Sequence, residues 1–373
     1  MFASLDSAVC QALENLLGII DRVFPLPRRF RAGLPRDIAE LSGLLTGNRE
    51  ARSESYLGKP GHLSAYLRYF LPWNVYRLCR LLPGLDLSLR SGDVISDLGC
   101  GPLTFPIALW ISRPDLRELA LEFRCLDHTY PVLEAGKTLF SALIASNAKW
   151  HIQLIRGSLE TRTKAPKAAL ISASQVFNEV FWGLPHRKPE LLAASAGKYA
   201  RLLASLLTEK GVILIVEPGI PRSGEGIAAL RAALLDQGYT PLMPCPHSKA
   251  CPFPGGFRAK WCHFAFDTQD APPALLNLSA AAGIPKERAV LSFLLAHSGE
   301  AGSGGLGLPV RIISDAFPVS GRYGRYGCSP QGAVLVTGPA AEMESWKSGA
   351  LLRYAPPLSS RRDKKSGALL LPL

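Results

Sequence analysis

Apolar residues recur at helical spacing through the first ninety positions. Val9, Leu13, Leu16, Leu17 and Ile20 form one stripe and Leu63, Tyr66, Leu67, Phe70 and Leu71 another, with Pro and Gly between them. This predicts an N-terminal helical region over residues 1–90. From Asp93 the pattern changes. The apolar run Val94-Ile95-Ser96-Asp97-Leu98 enters a glycine turn and then the apolar segment Phe105 to Ile111, which reads as strand, tight loop, helix. The same alternation follows: strand Glu122–Asp127 with helix Val132–Ala145, strand His151–Ile155, and strand Ala168–Ala173 running towards Asn178 and Glu179. Helix Leu191–Leu207, strand Gly211–Val216 and helix Ile227–Leu235 continue it. Repeated strand and helix argue for an α/β fold with a parallel sheet over residues 91–266.

Tyr239–Met243 and Trp261–Phe266 are expected to be its last two strands, side by side, with residues 244–262 inserted between them. Residues 267–373 read as a small C-terminal β extension. It holds the apolar run Val290–Leu295, a Gly-rich linker Gly299–Gly305, and short segments at Val310–Ile313 and Ala333–Val336 flanking Gly321–Cys328. The Arg322-Tyr323-Gly324-Arg325-Tyr326 repeat reads as a charged hairpin face, able in principle to pair phosphates and stack on unpaired RNA bases.

The inserted loop is the strongest chemical signal. Cys245, Cys251 and Cys262 fall in a C-x5-C-x10-C spacing broken by Pro246, Pro252, Pro254, Gly255 and Gly256, so neither helix nor strand can run through it. Loop closure costs entropy that Phe253, Phe257 and Trp261 could not repay alone, and a thiolate-bound metal answers that need. The spacing by itself leaves zinc open, since His247 and His263 stand beside the cysteines as nitrogen ligands.

Composition narrows the class. The 373 residues suffice for two or three units with a real core, and no apolar stretch approaches the roughly 18 residues that span a bilayer. Asp6, Glu14 and Asp21 near the start fit neither a secretory signal nor a transit peptide. Eight cysteines are too sparse for a disulfide scaffold, which points to a reducing compartment. A net charge of +12 favours a polyanionic partner, most simply nucleic acid.

The turn Asp97-Leu98-Gly99-Cys100-Gly101-Pro102-Leu103-Thr104 would let a cofactor approach the backbone and a helix N-terminus. It is similar to the first motif of the Rossmann-like methyltransferases, which bind S-adenosylmethionine. Asp127, ending the second strand, is placed to hold a ribose diol, or else caps the helix that follows. Asn178 and Glu179, near the carboxyl end of the fourth strand, either line the same pocket or open a helix in solvent.

The constellation as a whole, from about Tyr56 to Cys328, resembles the methyltransferase-like small ribosomal subunit assembly factors of mitochondria and bacteria. The residues that carry it are Asp97 to Thr104, Asn178-Glu179, Val216-Glu217-Pro218-Gly219, Cys245-Pro246-His247, Cys251-Pro252 and Trp261-Cys262-His263-Phe264. The resemblance implies a Rossmann-like class I S-adenosylmethionine methyltransferase fold with a 4Fe-4S cluster. Its ligands would be Cys245, Cys251, Cys262 and, from Tyr326-Gly327-Cys328-Ser329, Cys328. It further implies S-adenosylmethionine at Asp97, Gly99, Gly101, Thr104, Asp127, Asn178 and Glu179. The partners would be the small ribosomal subunit and its rRNA, with no membrane, in the bacterial cytoplasm or, in a eukaryote, the mitochondrial matrix. The stretch Ser55–Leu63 lacks an arginine common in the family, and the apolar tail Leu369–Leu373 also departs from it.

The leading expectation is therefore a ribosome-associated factor in subunit assembly or translation. The alternative is an active RNA methyltransferase with a structural zinc site, for which no decisive catalytic set stands out. A redox sensor rests on the cluster alone.

Overall fold

The computed structural model describes residues 1–46, 59–144, 146–161, 166–185, 188–256, 260–299, 305–355 and 361–373. Four parts of the sequence reading fall wholly or partly outside them: Ser55–Gly58 upstream, Ala145 at the end of the helix read from Val132, Phe257 in the cysteine loop, and Glu300–Gly304 of the Gly-rich segment. The chain divides into two compact units, one of Phe2–Ala165 with Asp267–Ala289, the other of Pro166–Phe266 with Val290–Leu373 and Met1.

The first unit opens with helices α1 (Ser7–Val23), α2 (Arg28–Arg31), α3 (Leu34–Thr46), α4 (Pro60–Ala65) and α5 (Leu71–Leu81). Asp6 caps α1 by accepting from the Val9 N–H at 2.8 Å, and Val9, Leu13, Leu16 and Ile20 are buried along one face, as their spacing requires. Next come β1 (Val94–Leu98), α6 (Thr104–Ser112), β2 (Leu121–Asp127), α7 (Tyr130–Leu143) and β3 (Trp150–Arg156). β2 lies between β1 and β3, parallel to both, with Asp97 opposite Cys125.

Residues 267–289 join this unit rather than the C-terminal extension expected of them. The reason is a polar anchor. Asp270 accepts from the Arg80 guanidinium at 2.6 Å, the Tyr76 hydroxyl at 2.5 Å and the Leu5 N–H at 3.1 Å, while Trp73 donates to Ser279 at 3.1 Å.

The second unit contains β4 (Ala168–Ser174), α8 (Phe177–Val180), α9 (Pro189–Leu206), β5 (Leu207–Pro218), α10 (Pro221–Asp236), β6 (Tyr239–Met243), β7 (Phe264–Asp267) and β8 (Arg288–Ser298). Together β1 to β8 make an eight-stranded sheet. In this unit β4 and β5 are parallel, and β8 runs antiparallel between β5 and β6. Val212 to Val216 form an unbroken buried run, as interior strands of such a sheet do. Parallel runs in the orders 3-2-1 and 4-5, with helices between strands, are the elements of a doubly wound α/β fold.

Two expectations change here. Val290–Leu295, read as part of the C-terminal extension, forms the middle of β8 in the larger sheet. In consequence β6 and β7 are not paired side by side but each pairs with β8, whose 11 residues are long enough to serve several partners.

The chain ends in a six-stranded sheet of β9 (Leu308–Ile312), β10 (Phe317–Val319), β11 (Arg322–Ser329), β12 (Gly332–Gly338), β13 (Leu351–Tyr354) and β14 (Leu369–Pro372), in the order β13-β9-β11-β12-β14 with β10 on β11. Val310, Ile312, Val334, Val336, Met343, Leu369 and Leu371 are its core. The apolar tail is thus a strand, parallel to β12. Arg325 is buried, donating to Met343 O and to Ser314 O, so the Arg-Tyr repeat is not the uniformly charged face expected of it. Among the described residues no helix is long and apolar enough to cross a membrane.

Candidate functional site

In the first unit the turn after β1 takes left-handed φ at Gly99 (62°), Gly101 (53°) and Leu103 (58°). Glycine bears this freely, whereas Leu103 bears it as a strained, fully buried residue capping α6. Asp127 ties the turn to the next one: its Oδ2 accepts from the Gly101 N–H at 3.0 Å and its Oδ1 from the Thr129 N–H at 2.9 Å. Asp127 therefore bonds at the start of α7, as its capping reading expects, and also reaches the glycine turn.

Asp97, Cys100 and Cys125 are buried beneath it, with their ligand-type atoms all within 4.8 Å of one another. Burial pushes the Cys100 thiol well up, so it packs as a neutral group. Thr104 is buried as the first residue of α6. A position that sequence reasoning missed holds the turn down: a Cβ on Gly136 of α7 would stand 2.4 Å from the Pro102 carbonyl carbon.

Asn178 and Glu179 lie in the second unit, on α8. Asn178 is buried rather than solvated. The Glu217 carboxylate accepts from three successive N–H groups, Val176 at 3.0 Å and Phe177 at 2.7 Å through Oε1, and Asn178 at 3.0 Å through Oε2. Burial raises the Glu217 carboxyl to about 7 against the pull of these bonds and of the Asn178 side chain. Glu217, quoted in the sequence reading only as part of a motif, thus fixes the turn that carries Asn178.

The same unit gathers Cys245, Cys251, Cys262 and Cys328 around one cavity. Several elements line it, Phe293 and Leu294 of β8 and Arg311 of β9 among them. The loop between β6 and β7 contributes the first three thiols. Cys328 comes from within β11, not from a turn, and its cross-strand partner on β9 is Arg311. Gly224, Ile227, Ala228 and Arg231 of α10, spaced i, i+3, i+4 and i+7, line another side.

Arg231 donates to Cys245 Sγ at 3.1 Å and to the carbonyls of His247 and Lys249, both at 2.8 Å. Arg311 donates to Pro244 O at 2.8 Å. The Ser292 hydroxyl holds Cys262 O at 2.8 Å, and Trp261 rests on α10 where a Cβ at Gly224 would meet its ring at 2.7 Å. Sequence reading missed both arginines, although the Gly224-to-Arg231 spacing is legible as one helix face.

The electrostatics are those of a desolvated anion site. Burial raises all four thiols, while Arg231 and Arg311 pull Cys245 and Cys328 back down. His247 Nε2 lies 3.3 Å from Cys328 Sγ, and burial with the Arg231 charge lowers its pKa to about 4. His263 stacks on Trp261 with centroids 4.8 Å apart and faces Trp261 O, not the cavity. The donors around the cavity are four thiols, without an imidazole among the lining residues.

The doubly wound sheet with its glycine turn defines a Rossmann-like α/β protein. More narrowly, the chain belongs to the family described as mitochondrial small ribosomal subunit Rsm22, whose model matches residues 96–314. No curated protein matches the chain. Among solved structures it is similar to a SAM-dependent methyltransferase from Geobacter sulfurreducens in complex with S-adenosyl-L-homocysteine, at 14% identity and a TM-score of 0.34 over 61% of this chain and 91% of that one. A second, from Thiobacillus denitrificans in the same kind of complex, shows 13% identity and a TM-score of 0.35 over 61% and 92%. A putative methyltransferase from Thermoplasma acidophilum shows 11% and 0.34 over 56% and 70%.

Proposed function

We propose that this protein is a ribosome-associated, methyltransferase-like factor that binds S-adenosylmethionine, carries a 4Fe-4S cluster, binds rRNA and acts in small-subunit assembly or translation. It would work where small subunits mature, in the bacterial cytoplasm or the mitochondrial matrix. The observation that carries the reading is the convergence of Cys245, Cys251, Cys262 and the distant Cys328 on one cavity within a chain of the small-subunit family.

The residues fit the cluster. Four thiols are the full ligand set of a cubane centre, and Arg231 and Arg311 offset the negative charge that four thiolates bring into a buried place. When bound, the cluster would cross-link the loop to β11, contributing stability that the loop's own apolar residues do not supply. The cofactor reading is supported by the glycine turn at Gly99 and Gly101 and by Asp127 at its edge. Asn178 and Glu179, to which the resemblance gives the same cofactor, lie in the other unit, on the turn that Glu217 holds.

The test is iron, acid-labile sulfide and a visible spectrum on protein purified without oxygen, wild type against Cys328→Ser. Iron with matching sulfide, lost in the variant, is the expected result. Stoichiometric zinc indifferent to Cys328 would overturn the cluster. Separately, Cys262→Ser should abolish association with small-subunit RNA while the protein is still made. Unchanged ribosome profiles would count against the ribosomal role.

A further inference from the structure

The six-stranded sheet carries a second concave site that neither the metal centre nor the glycine turn uses. A groove of about 490 Å³ is lined by Lys260, Ser314, Asp315, Phe317, Tyr326 and Lys365, among others. That size falls within the roughly 300–1,000 Å³ of ligand clefts. On its wall the Phe317 and Tyr326 rings stack with centroids 5.1 Å apart and planes 29° from parallel. The Lys260 ammonium sits 3.4 Å from the Tyr326 ring centre. Lys260, Lys364 and Lys365 are exposed, as is Arg362, which donates to Gly367 O at 2.9 Å.

Planar rings beside flexible ammonium groups match the two halves of a nucleotide: a base stacks on the rings while its phosphate meets the lysines. A duplex hides the faces of its bases, so stacking chemistry distinguishes unpaired from paired RNA. Tyr326 and Cys328 are two positions apart on β11, so one face of that strand serves the groove and the metal cavity in turn.

We infer that the Lys260–Phe317–Tyr326–Lys365 groove binds an unpaired nucleotide of RNA. The inference rests on the reading of the chain as an rRNA-binding factor and adds to it where, and in what form, RNA is taken.

The test uses full-length protein carrying its metal, with fluorescence anisotropy on a labelled single-stranded oligouridylate and on an RNA duplex of equal length. Phe317→Leu keeps apolar bulk but removes a stacking face, and should weaken single-strand binding about tenfold while leaving the duplex unchanged. Lys365→Gln, on the surface, should lower the slope of log affinity against log salt by about one. Ultraviolet cross-linking should map to Phe317 or Tyr326.

Single-strand affinity unmoved by Phe317→Leu, with no cross-link at either ring, would overturn this inference and leave the ribosomal role standing. Equal weakening on single strand and duplex would also overturn it, as would tighter binding of an acidic peptide than of RNA. Wild type that binds neither RNA removes the rRNA reading itself.

Discussion

Arg231 Nε donates to Cys245 Sγ at 3.1 Å, so a helix residue 14 positions upstream is bonded to the first thiol of the cysteine loop. Its other contacts, to the carbonyls of His247 and Lys249, set the loop backbone at the same time. Charge and geometry should therefore separate on substitution. Arg231→Lys keeps the charge and loses the fork, so iron content should fall in part. Arg231→Met loses both, and iron content should fall further. In whatever cluster Arg231→Met retains, the reduction potential should move negative, since a nearby positive charge favours the reduced form. Iron analysis and redox titration read the two effects.

Glu217 predicts a pH dependence. Its folded pKa, about 7, lies above the 4.5 of an ordinary glutamate, so the folded state binds the proton more tightly. Between these values the folded chain holds more protons than the unfolded one, and stability falls as pH rises. Its contribution is complete below about pH 4.5 and gone above about pH 7. Urea midpoints of wild type should decline across this window relative to Glu217→Gln, which cannot ionise. Equal slopes for the two proteins would refute the assignment.

Gly136→Ala should disturb the glycine turn from outside it. A Cβ 2.4 Å from the Pro102 carbonyl carbon forces either α7 or the turn to shift, at a cost of about 1–3 kcal/mol for overpacking. Thermal melts should show the loss, and calorimetry should show weaker S-adenosylmethionine binding.

Asp270→Ala should be the more damaging change to stability. It leaves the buried Arg80 guanidinium without its 2.6 Å partner, which costs about 3–5 kcal/mol where a buried pair is broken. Arg80→Met with Asp270→Leu should recover part of that, and denaturant unfolding of the pair and the singles measures it.

Periodicity revealed much of this architecture. The helical stripes of residues 1–90, the strands around Val94, Glu122, His151 and Ala168, and the glycine turn follow from local rules of burial and backbone freedom. The cysteine loop was legible because prolines, glycines and thiols together exclude regular structure. Arg231 and Arg311 were not legible as partners of the four thiols, since an arginine on a helix or strand has no local mark of the partner it will meet.

Local spacing settled which segments are helices and strands and which loop gathers thiols, because those properties depend on neighbours a few residues away. Only the folded chain decided that Val290–Leu295 belongs to the larger sheet, that Asp270 draws residues 267–289 to the N-terminal helices, and that Cys328 faces Arg311 across β9 and β11. Strand pairing and buried charge pairing join groups tens to hundreds of residues apart, and such partners are chosen by the geometry of the whole core.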